Sequence, residues 1–219
     1  MINLDRLSLL DTCSVSDALD SLGLRGAVYG LSCLTGEGKI VGEAQTVKLG
    51  PPLPEQVKRH LGAATIMMCD THSVIVVEHR GRTDVSGWGG LLSRGAVLKG
   101  VRGVVVDGAC RDVDESRELG LPVFARSATP RTARGRVAEL SYNEPITVCD
   151  ATVAPGDLVI ADGSGVVFIP KDRADEILSV AERIFSKEQL MARSLERGTE
   201  IGDVMGANYE EMLTPGSQS

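Results

Sequence analysis

The sequence predicts a mixed α/β fold in which strands outnumber crossover helices, and three observations predict it. Between residues 73 and 125, short β-branched runs alternate with stretches of helical periodicity, the pattern of a parallel layer. Between 137 and 169, four short apolar runs are separated only by turns rich in Gly, Pro and Asp, the pattern of antiparallel pairing. Over 171–197, apolar residues recur at helical spacing (Ile177, Leu178, Val180, Ala181, Ile184, Leu190, Met191) and mark one long amphipathic helix.

Each element follows from local chemistry. Ser14 and Ser16 carry hydroxyls that can cap a helix through Ala18 and Leu22, and Gly23 ends it. Residues 38–49 alternate through Ile40, Val41, Ala44, Thr46 and Val47 and read as a strand. Pro51, Pro52 and Pro54 break the chain, and a helix follows over 55–68. Val74, Ile75, Val76 and Val77 make 73–78 a buried strand, whereas 79–87, rich in Gly and charge, reads as a loop. A helix over 91–99, a strand over 103–107, a short helix from Asp112 to Gly120 and a strand over 122–125 complete the parallel layer. The runs at 137–140, 146–148, 158–161 and 166–169 form the antiparallel unit. A polar tail follows the long helix, and 215–219 read as disordered. No linker divides the chain, so 1–219 read as one domain.

Composition excludes several functions. A net charge of −7 and a pI near 5.1 repel phosphate backbones and argue against nucleic-acid partners. No apolar run is long enough to span a bilayer, and the first residues lack a basic n-region, which points to a cytoplasmic protein without a membrane partner. Cys13, Cys33, Cys69, Cys110 and Cys149 form no C-x-x-C motif and read as reduced, mostly buried thiols. His60, His72 and His79 lack metal-ligand spacing, and Lys99 at a helix end reads as exposed. Arg80, Arg82 and Asp84 read equally well as pocket lining or as a solvated loop.

The densest polar cluster follows an apolar strand: Asp107, Gly108, Ala109, Cys110, Arg111, Asp112, Val113, Asp114, Glu115. Ligands bind beyond the carboxyl ends of parallel strands. Arg111 offers a planar fork matched to a carboxylate. Asp112 and Glu115, three apart, share a helix face, and hard oxygen ligands suit Mg²⁺ or Mn²⁺. A helix cap at Asp112 and a surface ion pair between Arg111 and Glu115 account for the same residues. Gly89, Gly90, Leu91 and Leu92 open a helix whose free amides can hold a carboxylate opposite Arg111, or the glycines serve packing alone. No third glycine completes a dinucleotide fingerprint after Gly87 and Gly89, and no Walker A segment exists.

These residues, with Gly100 and Gly103 before the strand, Pro122 to Ala125 after it, Thr129-Pro130-Arg131, Pro155-Gly156-Asp157-Leu158 and Ala161 to Val167, resemble the RraA-like family of 4-hydroxy-4-methyl-2-oxoglutarate aldolases and oxaloacetate decarboxylases. The resemblance implies a swivelling β/β/α-type fold with N-terminal helices and a long C-terminal helix. It implies a homotrimer, or a hexamer of trimers, with sites between subunits. It implies a divalent-metal lyase on small 2-oxo acids, working through a pyruvate enolate. Arg111 would bind the pyruvyl unit, Asp112 the metal, Glu115 would support both, and the amides of Leu91 and Leu92 would take the carboxylate. Glu188 would correspond to an acid reaching across a subunit interface. Aldolases of this type often carry an acidic residue immediately before Leu-Leu, where this chain has Gly90; Asp84 is a nearby substitute. Other members regulate an RNA-degrading endonuclease by docking on it, but that subgroup lacks an Asp after the Arg, and Asp112 favours the enzyme. A biosynthetic lyase or hydratase with the same metal site is a further alternative. No glycine-rich loop supports a methyltransferase.

Overall fold

The computed structural model describes residues 2–36, 38–52 and 60–206. In chain order the elements are α1 (Ile2–Ser8), α2 (Thr12–Ser21), β1 (Ala27–Val28), β2 (Ser32–Thr35), β3 (Ile40–Gly50), α3 (Ala63–Met68), β4 (Ser73–Ser86), α4 (Gly90–Leu98), β5 (Gly103–Cys110), α5 (Val113–Glu118), β6 (Val123–Ala128), β7 (Ala138–Tyr142), β8 (Ile146–Val148), β9 (Ala151–Val153), β10 (Leu158–Asp162), β11 (Gly165–Ile169), α6 (Ala174–Glu196) and α7 (Ile201–Val204). The expected mixed α/β class with a long C-terminal helix is what the chain adopts. The expected helix over 55–68 is helical at its end as α3, and its earlier part falls largely outside the described residues, as does the 215–219 tail.

One nine-stranded sheet runs β1-β11-β10-β3-β4-β5-β6-β2, with β7 also on β3. The pairs β3–β4, β4–β5 and β5–β6 are parallel, as the alternating pattern requires. Val74 and Val76 enter one core cluster and Ile75 and Val77 another on the opposite face, so β4 is buried on both sides, as parallel strands are.

The later strands do not form a separate antiparallel unit. β10 and β7 both pair with β3, at residues 40–43 and 47–50, because β3 is eleven residues long and offers one edge twice. Among the described residues, only β8 and β9 stand apart, as a two-stranded ribbon. Of the segment 79–87 expected as a loop, all but Gly87 is strand, the second half of β4. Register shifts between Val77 and Arg82 and again before Ser86 absorb its charged residues, with Arg80 (φ 55°) and Gly81 (φ 68°) in the left-handed region. The cap of α2 is Asp11, whose Oδ1 accepts from the Ser14 amide at 2.8 Å, rather than Ser14 or Ser16. Gly23 does end that helix: its amide bonds Asp20 O and the Leu24 amide bonds Leu19 O, the paired closure that a residue at φ 66° permits.

α1, α2 and α6 cover β10 and β11 through Leu7, Val15, Ile177 and Ala181, while α3, α4 and α5 cover the parallel strands. The long helix begins with a 3-10 turn (Lys171–Arg173) before α6. Among the described residues, no helix is long and apolar enough to cross a membrane.

Candidate active site

β5 ends at Cys110, and the next residues turn sharply towards the start of α4. Asp112 sits in the left-handed region (φ 55°), which costs a non-glycine residue about 1–2 kcal/mol, though Asp is among the residues that tolerate it. Its side chain makes no bond to its own helix α5, so it is not a side-chain cap. Instead Oδ2 reaches across to the Gly90 amide at 3.0 Å, at the N-terminus of α4, and to Arg111 Nε at 3.1 Å. Glu115 pairs with Arg94 of α4 (Nη2 to Oε1, 2.8 Å), not with Arg111. Arg111, Asp112 and Glu115 thus lie around Gly89 and Gly90, although Asp112 precedes the helix that was to align it with Glu115.

The backbone fixes this corner. Arg111 N donates to Trp88 O (3.0 Å) and Gly87 N to Ala109 O (2.8 Å), which ties the approach to α4 against the end of β5. Beneath, a buried chain runs from Trp88 Nε1 to Ser93 Oγ (2.9 Å) and on to Ser116 Oγ (2.8 Å), locking α4 to α5. Neither this chain nor Arg94 was visible in the sequence, since their partners lie up to 23 residues away.

The corner has spare bonding capacity. Among the described residues, Arg111 is bonded only through Nε, which leaves both terminal nitrogens for a ligand. The amides of Leu91 and Leu92 lie in the first turn of a nine-residue helix, where no intrahelical acceptor exists and the dipole favours an anion. Among the described residues, Asp112 Oδ1 and Glu115 Oε2 have no hydrogen-bond partner. No group of three or more His, Cys, Asp or Glu side chains could hold a metal among the described residues. Two carboxylates with free oxygens still fit a hard divalent cation that completes its shell with water and ligand oxygens. Arg111, Asp112 and Glu115 are each between 36% and 39% exposed, so one chain by itself leaves the corner open.

Other candidates separate cleanly. Asp84 is paired with Arg82 (2.9 Å) and Arg131 (3.8 Å), and Arg82 holds its carboxyl below the usual range; it does not stand in for an acid at position 90. His79 is buried with Nε2 at 2.9 Å from Val85 O, and burial pushes its pKa down, so it is structural. Burial pushes the Cys110 and Cys69 thiols up to about 11, which leaves them inert. Only these two cysteines are buried; Cys13 and Cys33 are exposed and Cys149 is half-buried, contrary to the expectation of mostly buried thiols. Glu188 is half-buried on α6 and has no hydrogen bond or ion pair among the described residues. Burial first, then the charges of Asp11 and Asp17, push its carboxyl up.

Arg80 belongs to a different cavity, of about 320 Å³, with Tyr29, Glu78, Asp107, Arg126 and Cys149. Asp107 there grips Arg126 Nε at 2.7 Å and the Cys149 amide at 3.3 Å, so it closes an ion pair on the face opposite α4 rather than joining Arg111.

A mixed sheet whose parallel strands deliver an adjacent Arg and Asp to a glycine-opened helix defines an α/β protein with one corner suited to a small anion and a hard cation. The chain belongs to the RraA-like family: residues 12–168 match the family model described as Aldolase/RraA. It is 31% identical over 198 residues to protein DlpA of Legionella pneumophila, covering 90% of this chain but only 32% of that larger protein. It is 29% identical over 208 residues to a Halalkalibacterium halodurans protein named "Putative 4-hydroxy-4-methyl-2-oxoglutarate aldolase", covering 94% and 93% of the two chains. Its fold superposes on Streptomyces coelicolor RraAS2, described as an unusual member of the RNase ES inhibitor RraA protein family, with a TM-score of 0.79 at 31% identity, covering 89% and 96%.

Proposed function

We propose that the protein is a divalent-metal-dependent carbon–carbon lyase that cleaves small 2-oxo acids through a pyruvate enolate. The observation that carries this is the convergence of Arg111, Asp112 and Glu115 on the first turn of α4, with the Asp112–Gly90 bond at 3.0 Å. The name of the Halalkalibacterium relative supports the substrate class.

The substrate carboxylate rests on the Leu91 and Leu92 amides, where the helix dipole favours negative charge. The free terminal nitrogens of Arg111 face the oxo oxygen. As the bond between C3 and C4 breaks, its electron pair moves towards that oxygen, and the fixed guanidinium stabilises charge that exists only later in the reaction. The C4 hydroxyl gives its proton to a water in the open corner and becomes the second carbonyl, and the enolate takes a proton back at C3 to leave as pyruvate. Decarboxylation of oxaloacetate leaves the same enolate, so one site serves both reactions. A divalent cation, Mg²⁺ or Mn²⁺, would be held by Asp112 with help from Glu115 and would supply Lewis acidity. The exposure of the corner is relieved if a second copy covers it, in a trimer or a hexamer, with Glu188 as the expected acid from that copy.

The test is pyruvate release from 4-hydroxy-4-methyl-2-oxoglutarate and oxaloacetate, with Mg²⁺ and after EDTA. Turnover is expected with metal only, and Arg111→Ala is expected to lose at least about a hundredfold in kcat/KM with an unchanged melting curve. EDTA-insensitive turnover, or near-normal Arg111→Ala, rejects the reading. A second reading, a non-catalytic ribonuclease regulator, draws on the description of the Streptomyces relative. It requires no turnover on these acids and a stable complex with an endonuclease.

A further inference from the structure

On the face of the sheet opposite α4, three parallel strands end in a layer of charge. Val76, Val105 and Phe124 lie side by side in register and belong to one apolar cluster. Side chains alternate along a strand, and two residues further on stand Glu78, Asp107 and Arg126, at the carboxyl ends where α/β sheets bind their ligands. With Arg80 and Cys149 they line the cavity of about 320 Å³, a volume within the range of small-molecule sites. The Glu78 and Asp107 side chains are each only 5% exposed, and a buried carboxylate is costly unless paired. Glu78 is met by Lys48 (3.5 Å), Arg80 Nε (3.2 Å) and the Thr147 amide (2.9 Å), Asp107 by Arg126 Nε (2.7 Å) and the Cys149 amide (3.3 Å). The two amides pin the β8–β9 ribbon over the cavity.

Every oxygen of these two carboxylates is thereby engaged, but the guanidinium ends are not. Among the described residues, neither terminal nitrogen of Arg80 nor Nη1 of Arg126 makes a hydrogen bond, and Arg126 Nη2 meets only Cys149 Sγ, at 3.0 Å. The Cys149 thiol donates in turn to Tyr29 O at 3.4 Å, and burial pushes its pKa up, so it stays neutral. Lys48, Arg80 and Arg126 against Glu78 and Asp107 leave one positive charge in excess, in a chain whose net charge is −7. Arg80 (φ 55°) and Cys149 (φ 53°) are also two of the four left-handed non-glycine residues among those described, and such backbone gathers where ligands are held. We propose that this cavity is a second ligand site, for a small monocarboxylate gripped by the guanidinium ends of Arg80 and Arg126. A planar carboxylate matches the guanidinium fork, and its single charge cancels the excess; a phosphate dianion would leave negative charge beside two buried carboxylates. The site lies across the sheet from the α4–α5 corner and does not depend on the lyase reading.

Cys149 reports on the cavity from within. Its alkylation by iodoacetamide, followed by peptide mass spectrometry at constant ionic strength, is measured against propionate, a monocarboxylate without the 2-oxo group that the α4–α5 corner would take. Propionate is expected to slow labelling of Cys149, with half-protection in the millimolar range, and to leave the exposed Cys13 unaffected. Protection is expected to persist in Arg111→Ala, since that residue belongs to the other face. Arg80→Gln leaves Glu78 its Lys48 and Thr147 partners and is expected to raise the half-protecting concentration about fivefold or more. Arg126→Lys keeps a cation on Asp107 but loses the fork, and a several-fold rise is expected. Arg134→Gln removes an exposed arginine outside the cavity and is expected to stay within about twofold. No protection in the parent, loss of protection in Arg111→Ala, or equal shifts in Arg80→Gln and Arg134→Gln overturns the site. Inorganic phosphate protecting as well as propionate does overturns the monocarboxylate assignment. None of these outcomes bears on pyruvate release, so the lyase reading stands or falls separately.

Discussion

At the scale of single residues, Asp112 joins local backbone strain to chemistry. A left-handed non-glycine residue persists only where its surroundings over-determine it. Here the surroundings are the Gly90 amide and Arg111 Nε, both on one carboxylate oxygen. Asn tolerates the same backbone region and its carbonyl can accept from Gly90, so Asp112→Asn isolates the charge. Melting is expected to change little, within about 0.5 kcal/mol, as for a partly exposed polar exchange. Metal-dependent pyruvate release is expected to fall by at least about a hundredfold, because the proposed anionic ligand is gone. Steady-state kinetics beside a thermal melt checks this, and unchanged kcat/KM would remove Asp112 from the reaction.

Elements hold these residues in place, and the junction of α4 with α5 is the one that matters for the site. Ser93 Oγ accepts from the buried Trp88 indole and meets Ser116 Oγ. Ser93→Ala strands the Trp88 N–H and the Ser116 hydroxyl in the core, and unsatisfied buried groups cost about 1–3 kcal/mol. Urea unfolding is expected to show a loss in that range together with a higher KM, since Gly89 and Gly90 shift relative to Arg111; a loss below about 0.5 kcal/mol would show that the chain of hydroxyls does not tie the helices. This junction is also where the sequence ran out. The parallel strands were legible because β-branched runs buried on both faces leave little choice, and the Arg111 to Glu115 cluster was legible because it follows such a run. The second half of β4 was not, since a strand interrupted by Arg80 and Gly81 in left-handed conformations has the composition of a loop. The Trp88–Ser93–Ser116 chain and the Arg94–Glu115 pair depend on how two helices cross, which no local pattern encodes. Likewise Asp11 displaced Ser14 as the cap of α2 because the helix begins one residue after it.

Across the whole molecule, charge decides how stability follows pH. The chain carries a net charge of −7, and near the α2–α6 contact Asp17 and Glu188 are both held above the usual carboxylate range, by burial first and neighbouring carboxylates second. Such a group binds more protons folded than unfolded between its ordinary pKa and the raised one. Stability therefore falls as pH rises through that window, and the loss is complete once pH exceeds the folded value. Groups shifted the other way act at lower pH: Glu182, held down by its hydrogen bond to Arg6, and Asp70, held down by the His72 amide, lose their contribution as pH falls through their lowered values. His79, lowered by burial, costs stability as pH drops below the ordinary histidine range. Comparing Glu188→Gln with the parent cancels these other groups. The variant is expected to melt higher than the parent at pH 8, and its advantage is expected to shrink on acidification and vanish below the ordinary glutamate range, near about pH 4. Melting curves from pH 4 to 8 measure it. A neighbouring copy that brings a cation to Glu188 in the assembled protein inverts the sign: the variant then melts lower at pH 8 and dissociates more readily in sedimentation. A difference that does not vary with pH would mean that the Glu188 carboxyl titrates alike in the folded and unfolded chain.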